Sequence, residues 1–390
     1  MLAVLGAPSR YVQGRNATDQ LGAEMKALGF GGMALVVAGK SARKHLDSAW
    51  SETFRQAGIK FHIYDFAGEC SRGEIDAAKS AALKCNAEVI VGSGGGKVLD
   101  TARAVASELE LPIVNCPTVA SSDAPCSALS VVYTADGQFD RYMFYKRNPD
   151  LVLVDTTVVA KAPARLLVAG MGDALATWFE AKTVIAAKKK NQLGGATTLS
   201  AEALARLCYD TLMNDGLDAL QAVRTHSVTP ALERLVEANT LLSGLGFESG
   251  GLAIAHSVHN GLTTIPQTHH YYHGEKVAFG LLVQLVAEGA EKAVLEEVLE
   301  FSCSVGLPLT LKELDIQELS DVALETVAKR ATAPGETAHN EPFEVTAEII
   351  SDAIRAADSI GHHWKRNHEN GSLRPRDAAR QPSAESVSRR

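Results

Sequence analysis

One stretch limits what this chain can become. Residues 88–91 (EVIV) have strand character and run directly into the turn Gly92-Ser93-Gly94-Gly95-Gly96-Lys97, which is followed by a helical segment from about 99 to 108. Strand, glycine turn and helix in that order make a place for a diphosphate: glycines let the backbone approach an anion, and the free N–H groups of the helix start point at it. The spacing fits neither GxGxxG nor the GxxxxGK[ST] phosphate loop, and three adjacent glycines also serve as an ordinary tight turn. Asp100, just inside the helix, is open to three roles: helix-capping acid, partner of a nicotinamide amide, or metal ligand.

The same unit recurs on either side. Apolar runs at 33–38 (MALVVA), 59–64 and 112–115 read as buried strands, with helices at 41–56 and 74–84 between them. Further strands fall at 129–134, 142–145 and 151–154, and Asp136-Gly137 marks a hairpin. Between them lies the small, hydroxyl-rich loop 118–127 (TVASSDAPCS), at a strand end where open α/β sheets take ligands; its Asp123 has room around it. After Pro163 the periodicity turns helical, with helices at 164–185, 199–213, 229–242, 252–262, 274–288, 291–305 and 346–359. The expected fold class is therefore an N-terminal α/β domain with a parallel, Rossmann-like sheet over residues 1–162 and an all-α domain over 163–363. Residues 364–390, rich in Arg and Ser, are expected to be a disordered tail. A length of 390 residues suits two cores better than one.

Composition excludes some classes. A net charge of −8 offers no basic footprint for nucleic acid or an anionic membrane surface. No apolar run reaches the roughly 20 residues that span a bilayer, and the N-terminus lacks the charged start of a signal peptide. Six cysteines without a CxxC pair fit reduced thiols, so a soluble cytoplasmic protein is expected.

Between residues 247 and 280 lie five of the twelve histidines: His256, His259, His269, His270 and His273. A helix puts His256 and His259 on one face, and a Pro-containing loop returns the others towards it, which reads as a metal site. A divalent ion wants a carboxylate as well. Asp173, in the apolar helical segment GMGDALATWFE, supplies one, because a buried carboxylate without a cation is costly. Glu180 and Lys182, farther along that helix, read as structural.

These motifs together resemble the iron-containing (group III) alcohol dehydrogenase superfamily, and within it the glycerol dehydrogenase branch. The resemblance rests on Tyr11-Val12-Gln13-Gly14, residues 94–102, 118–125 and 172–181, the histidine stretch and 339–346 (HNEPFEVT), and so covers nearly everything but the tail. It implies the two-domain architecture shared with dehydroquinate synthase, and oxidation of glycerol to dihydroxyacetone with hydride transfer to NAD. It further implies metal ligation by Asp173, His256 and His273, which with Asp123 form the catalytic set. Substrate contacts are implied at Asp123, Asp173 and His256, and nucleotide contacts at Gly95, Gly96, Lys97, Asp100, Thr118, Ser121, Ser127, Leu129 and Tyr133. Iron-dependent relatives carry a fourth ligand, a histidine, four residues after the aspartate; here that residue is Thr177, which implies Zn2+. His259 stands behind the metal ligands, serves as a proton relay, or is a supporting core histidine. NAD-using members also end their first strand on an aspartate that holds the adenosine ribose; here that position is Gly39, followed by Lys40 with Arg43 nearby, so NADP is an alternative cofactor. A homo-oligomer, commonly an octamer, is implied as well. The competing readings are another diol or aldehyde reductase of the superfamily, a dehydroquinate-synthase-like lyase (for which residues 123–127 supply no basic groups) and a non-catalytic nucleotide-binding protein.

Overall fold

The computed structural model describes residues 1–135, 137 and 139–369. The first half alternates strand and helix: β1 Tyr11–Gly14, α1 Leu21–Ala27, β2 Ala34–Ala38, α2 Lys40–Ala57, β3 Phe61–Asp65, α3 Arg72–Cys85, β4 Val89–Gly94, α4 Gly96–Leu109 and β5 Ile113–Pro117. A two-stranded antiparallel hairpin, β6 Leu129–Tyr133 with β7 Phe139–Phe144, precedes β8 Leu151–Asp155 and the short α5 Thr156–Ala160. Asp136, expected at the hairpin turn, lies outside the described residues.

Six strands form one parallel sheet in the order β1-β8-β5-β4-β2-β3. Its central strands are buried on both faces because successive side chains alternate: Leu35 and Val37 pack with Ile75, Ala78, Ala102 and Val105, while Ala34, Val36 and Ala38 pack with Trp50 and Phe54. From β2 the chain runs to β3 on one side; from β4 it runs to β5 and β8 on the other. The strand order therefore reverses between β2 and β4, and their carboxyl ends open the crevice in which sheets of this kind take ligands. The glycine turn stands at that point.

The rest is helical: α6 Ala164–Ala186, α7 Leu199–Arg224, α8 Pro230–Glu237, α9 Ser243–Gly250, α10 Ile254–Leu262, α11 His273–Ala287, α12 Lys292–Val305, α13 Asp321–Ala331 and α14 Ala347–Glu369. They share one apolar core. A π-helical turn, Ala238–Leu242, joins α8 to α9. Several features differ from the sequence reading, and strand β1 and helices α1, α5 and α13 lie in stretches to which it assigns no element. Helix α9 was not expected, because FESGG lacks apolar periodicity; it is buried along its whole length, so tertiary packing overrides weak propensity. Helix α7 continues eleven residues beyond 213. Helix α14 continues to Glu369, with Trp364 packed against the core, so residues 364–369 are helical rather than tail; the remainder of the expected tail lies outside the described residues. Among the described residues, no helix is long and apolar enough to cross a membrane.

Candidate metal and dinucleotide site

Glycines set the geometry of the helical part. A Cβ on Gly172 would fall 2.3 Å from the Gly274 carbonyl oxygen, and one on Gly274 would fall 1.8 Å from that of Ala169, so α6 and α11 touch backbone to backbone. Asp173 follows the first glycine and His273 precedes the second. Gly280 does the same for α11 and α10, where its Cβ would lie 2.3 Å from the oxygen of Ala255, the residue before His256. Each close approach thus sits beside a residue with metal-binding chemistry.

The three side chains converge as the sequence reading expects. Their ligand atoms lie within 4.8 Å of one another, with Asp173 Oδ1 at 3.1 Å from His273 Nε2 and 3.5 Å from His256 Nε2. Asp173 is 1% exposed, and its Oδ1 is buried without a hydrogen-bond donor. An orphaned carboxylate oxygen between two imidazole nitrogens is what a cation would satisfy, and one acid with two imidazoles is a donor set that zinc and iron both accept. Burial alone would raise the Asp173 pKa, yet the imidazoles of His273 and His256 outweigh it and hold the group well below the usual carboxylate range. Thr177 takes no part: its hydroxyl pairs with Ser243 Oγ at 2.9 Å. His269 and His270 do not join the cluster. They turn outward to the Thr263 carbonyl and to Asp315.

Each imidazole is oriented from behind. His256 Nδ1 lies 2.6 Å from Glu180 Oε2, while Glu180 Oε1 accepts the backbone N–H groups of Ala253 at 2.9 Å and His256 at 3.1 Å. Burial would depress the His256 pKa, but Glu180 and Asp173 raise it well above the ordinary value. Glu180 is therefore a positioning residue, and the structural role expected of it is corrected to this extent. His273 Nδ1 meets His259 Nε2 at 3.0 Å, His259 Nδ1 meets Asn260 Oδ1 at 3.2 Å, and Asn260 Nδ2 donates to Glu336 at 3.0 Å. Burial, then His273, Lys276 and His256, push the His259 pKa well down, so its ring is neutral and accepts from His273. That chain fixes the tautomer that leaves His273 Nε2 free for an ion.

Asp123 enters from the sheet side. Its backbone N–H donates to Asp173 Oδ2 at 3.1 Å, and its carboxylate accepts from Ser243 Oγ at 3.3 Å. The π-helical turn just before Ser243 helps place this loop, since Asn239 Nδ2 donates to the carbonyls of Ala120 and Leu167. Burial, and then the charge of Asp173, raise the Asp123 pKa well above the usual range.

Across the crevice, α4 starts at Gly96, not near 99, so Gly95, Gly96 and Lys97 form its first turn, with no side-chain cap at Gly95. Gly92 and Gly94 serve close packing on Ala102 and Val98, whereas Cβ atoms on Gly95 and Gly96 would meet nothing nearer than 3.7 and 3.8 Å. Lys97 Nζ pairs with Glu69 at 2.5 Å and lies 5.3 Å from the Tyr133 ring centroid. Thr118 is half-buried and tied by its N–H to the Gly94 carbonyl at 3.0 Å; Ser121 and Leu129 are half-buried as well. Two expected nucleotide contacts are committed elsewhere. Asp100 is buried in an ion pair with Arg103, three residues on along α4, and the same guanidinium binds the Ala124 and Ser127 carbonyls. Ser127 is buried, its hydroxyl turned to Ala124 and Arg103. These two residues brace the Asp123 loop from below.

Comparisons with known proteins place the whole chain among known relatives. Residues 8–156 match the family model described as iron-containing alcohol dehydrogenase. The chain is 51% identical to a glycerol dehydrogenase of Pseudomonas putida over 92% of its own length and 98% of the relative's. It is 48% identical to a glycolaldehyde reductase of Halobacterium salinarum over 93% and 98%. Among solved structures, a glycerol dehydrogenase from Schizosaccharomyces pombe superposes with a TM-score of 0.90 at 39% identity, covering 95% of this chain and 94% of that one.

Proposed function

The chain belongs to the iron-containing alcohol dehydrogenase family, among its glycerol dehydrogenases, and we propose that it oxidises glycerol at the secondary alcohol to dihydroxyacetone, with a pyridine dinucleotide as hydride acceptor. The observation that carries this reading is the convergence of Asp173, His256 and His273, with Asp123, from the loop after β5, bonded to Asp173. We assign zinc to the metal site, because Thr177 is turned away and three protein ligands leave a position for substrate. When bound, that ion supplies a Lewis acid that makes the substrate hydroxyl easier to deprotonate, and the nicotinamide takes the hydride. The protein's own part is placement. Asp173, His256 and His273 would hold the ion, with Glu180 and His259 fixing the two rings. Asp123, held by Ser243, would receive the second hydroxyl of a vicinal diol.

For the nucleotide, the open N–H groups at Gly95 and Gly96 with Lys97 would take the diphosphate, Thr118 and Ser121 would line the opposite wall, and Leu129 and Tyr133 would border the cleft. NAD is favoured by the family, and NADP is the alternative that Gly39 opens. A cytosolic homo-oligomer completes the proposal. Its support is six cysteines outside any disulfide and exposed apolar side chains at Leu2, Leu199, Leu207 and Leu217 that a second copy would cover.

The test is steady reduction of nucleotide by glycerol, lost on chelation and restored by zinc. Failure to reduce nucleotide with glycerol or any vicinal diol removes the proposal. A second reading, reduction of a small hydroxyaldehyde, is favoured by the 48% identical glycolaldehyde reductase. It predicts a higher kcat/KM for glycolaldehyde with reduced nucleotide than for glycerol with oxidised nucleotide.

A further inference from the structure

Strand β2 ends without an acid, at Gly39, but its neighbour does not. Strands β2 and β3 pair in register from Ala34 with Phe61 to Ala38 with Asp65, so Asp65 closes β3 one strand spacing, about 4.8 Å, from the residue before Gly39. The Phe66 N–H donates to the Ala38 carbonyl at 2.9 Å and holds that end in place. Gly39 itself borders the glycine turn: its N–H donates to the Ser93 carbonyl at 3.0 Å, and a Cβ on it would lie 3.8 Å from Gly94 Cα. From β4 to β3 is two strand spacings, about 10 Å, a span that a diphosphate and the ribose attached to it can bridge.

Over this corner stands Arg43, on the first turn of α2. Its Nη1 is 3.8 Å from Asp65 Oδ1 and its Nε is 3.8 Å from Asp47 Oδ2. These are ion-pair separations too long for hydrogen bonds, and the side chains of Arg43 and Asp65 remain 39% and 73% exposed. Neither charge is used up by the fold. Lys40 is exposed beside them.

We infer that Asp65 and Arg43 together read the adenosine ribose, so that nucleotide choice is made from β3 and α2 rather than from the end of β2. Asp65 accepts the ribose hydroxyls of NAD, taking the part that Gly39 cannot play. For NADP the 2′-phosphate displaces Asp65 from Arg43 and is bound by that guanidinium with help from Lys40. A carboxylate alone would repel the phosphate, and a guanidinium alone would leave the hydroxyls without an acceptor. With both at 3.8 Å from each other, neither nucleotide is excluded and each single substitution tips the balance its own way.

This rests on the dinucleotide assignment above, and calorimetry of NAD+ and NADP+ binding to the purified protein separates the two. Asp65→Asn should improve NADP+ relative to NAD+ about tenfold in Kd, and Arg43→Gln should weaken NADP+ about tenfold while leaving NAD+ within about twofold. Ratios of kcat/KM should move in the same directions. Both side chains are exposed, so folding is not at stake. If the wild-type protein binds neither nucleotide, the dinucleotide assignment itself falls. If it binds one or both and the NADP+ to NAD+ ratio stays within about threefold in both variants, this inference falls alone.

Discussion

Exchanging Glu180 for glutamine exchanges one oxygen of the side chain for an NH2, and the contacts around it say that it should weaken metal binding sharply. In the wild type, Oε1 is fixed by two backbone N–H groups, at 2.9 and 3.1 Å, and Oε2 faces His256 Nδ1 at 2.6 Å. A glutamine must keep its only oxygen on those two donors, because turning the amide would set an NH2 against two N–H groups. Its NH2 then faces His256 and donates to Nδ1. The ring can satisfy that donor only by carrying its proton on Nε2, the atom that points to Asp173, and a protonated nitrogen cannot ligate. Removing an outer partner of a metal-bound histidine typically costs 10–100-fold in affinity. The forced tautomer puts Glu180→Gln at or beyond the upper end, about 100-fold or about 2.7 kcal/mol. Glu180→Ala should lose less metal affinity, since it frees the ring to keep its proton on Nδ1, while losing more stability from the void. Metal affinity by chelator competition and unfolding by urea measure the two separately. Should Glu180→Gln hold metal as tightly as the wild type, or more tightly than Glu180→Ala, the tautomer argument is wrong.

Other perturbations follow from the same contacts. Asp173→Asn should abolish metal binding and turnover with the fold intact by circular dichroism, and retention of either would show the site to be misassigned. Gly274→Ala, whose methyl would fall 1.8 Å from a backbone oxygen, should cost about 3 kcal/mol in urea unfolding, the top of the overpacking range, and should loosen the metal as His273 moves off Asp173. Lys276 is buried with one 3.4 Å bond to the Thr268 carbonyl, and burial, with Lys97 adding to it against Glu275, lowers its pKa to about 8. Because the folded value lies below the unfolded one near 10.5, its charge destabilises the folded state most below pH 8, and the penalty fades as pH rises towards 10.5. Without nucleotide, Lys276→Met should therefore raise Tm at pH 7, and the gain should vanish by about pH 10.5. An equal gain at both pH values would place the effect in packing instead.

The chain shows its large-scale plan readily, because apolar strands punctuated by glycine and long helical periodicity are local signals. Asp173, His256 and His273 also stand out, since buried groups of that chemistry need a partner. What the sequence hides is direction. Asp100 sits in the first turns of α4, where an acid reads as a ligand, but Arg103 is one turn farther on the same face and claims it. Glu180 looks structural by composition. Its signal is spacing: seven residues, about two turns, after Asp173 on a helix, which aims both at the same neighbour. The His259–Asn260–Glu336 chain draws on residues 76 positions apart, and no local pattern marks such a pair. Helix α9 escapes notice because its glycines serve close packing, Gly246 on α6 and α7, Gly250 on α6 and Gly244 on the Asp123 loop, rather than helicity.

The backbone contacts at Gly172, Gly274 and Gly280 carry one more consequence. Helices α6, α10 and α11 are locked to each other by main-chain atoms, so the cage stands ready before any ion arrives. Loading it should then resemble filling a socket more than folding a clasp: hydrogen exchange in these three helices should be nearly the same with and without metal, and the choice among ions should depend on side chains such as Thr177 while the scaffold stays put.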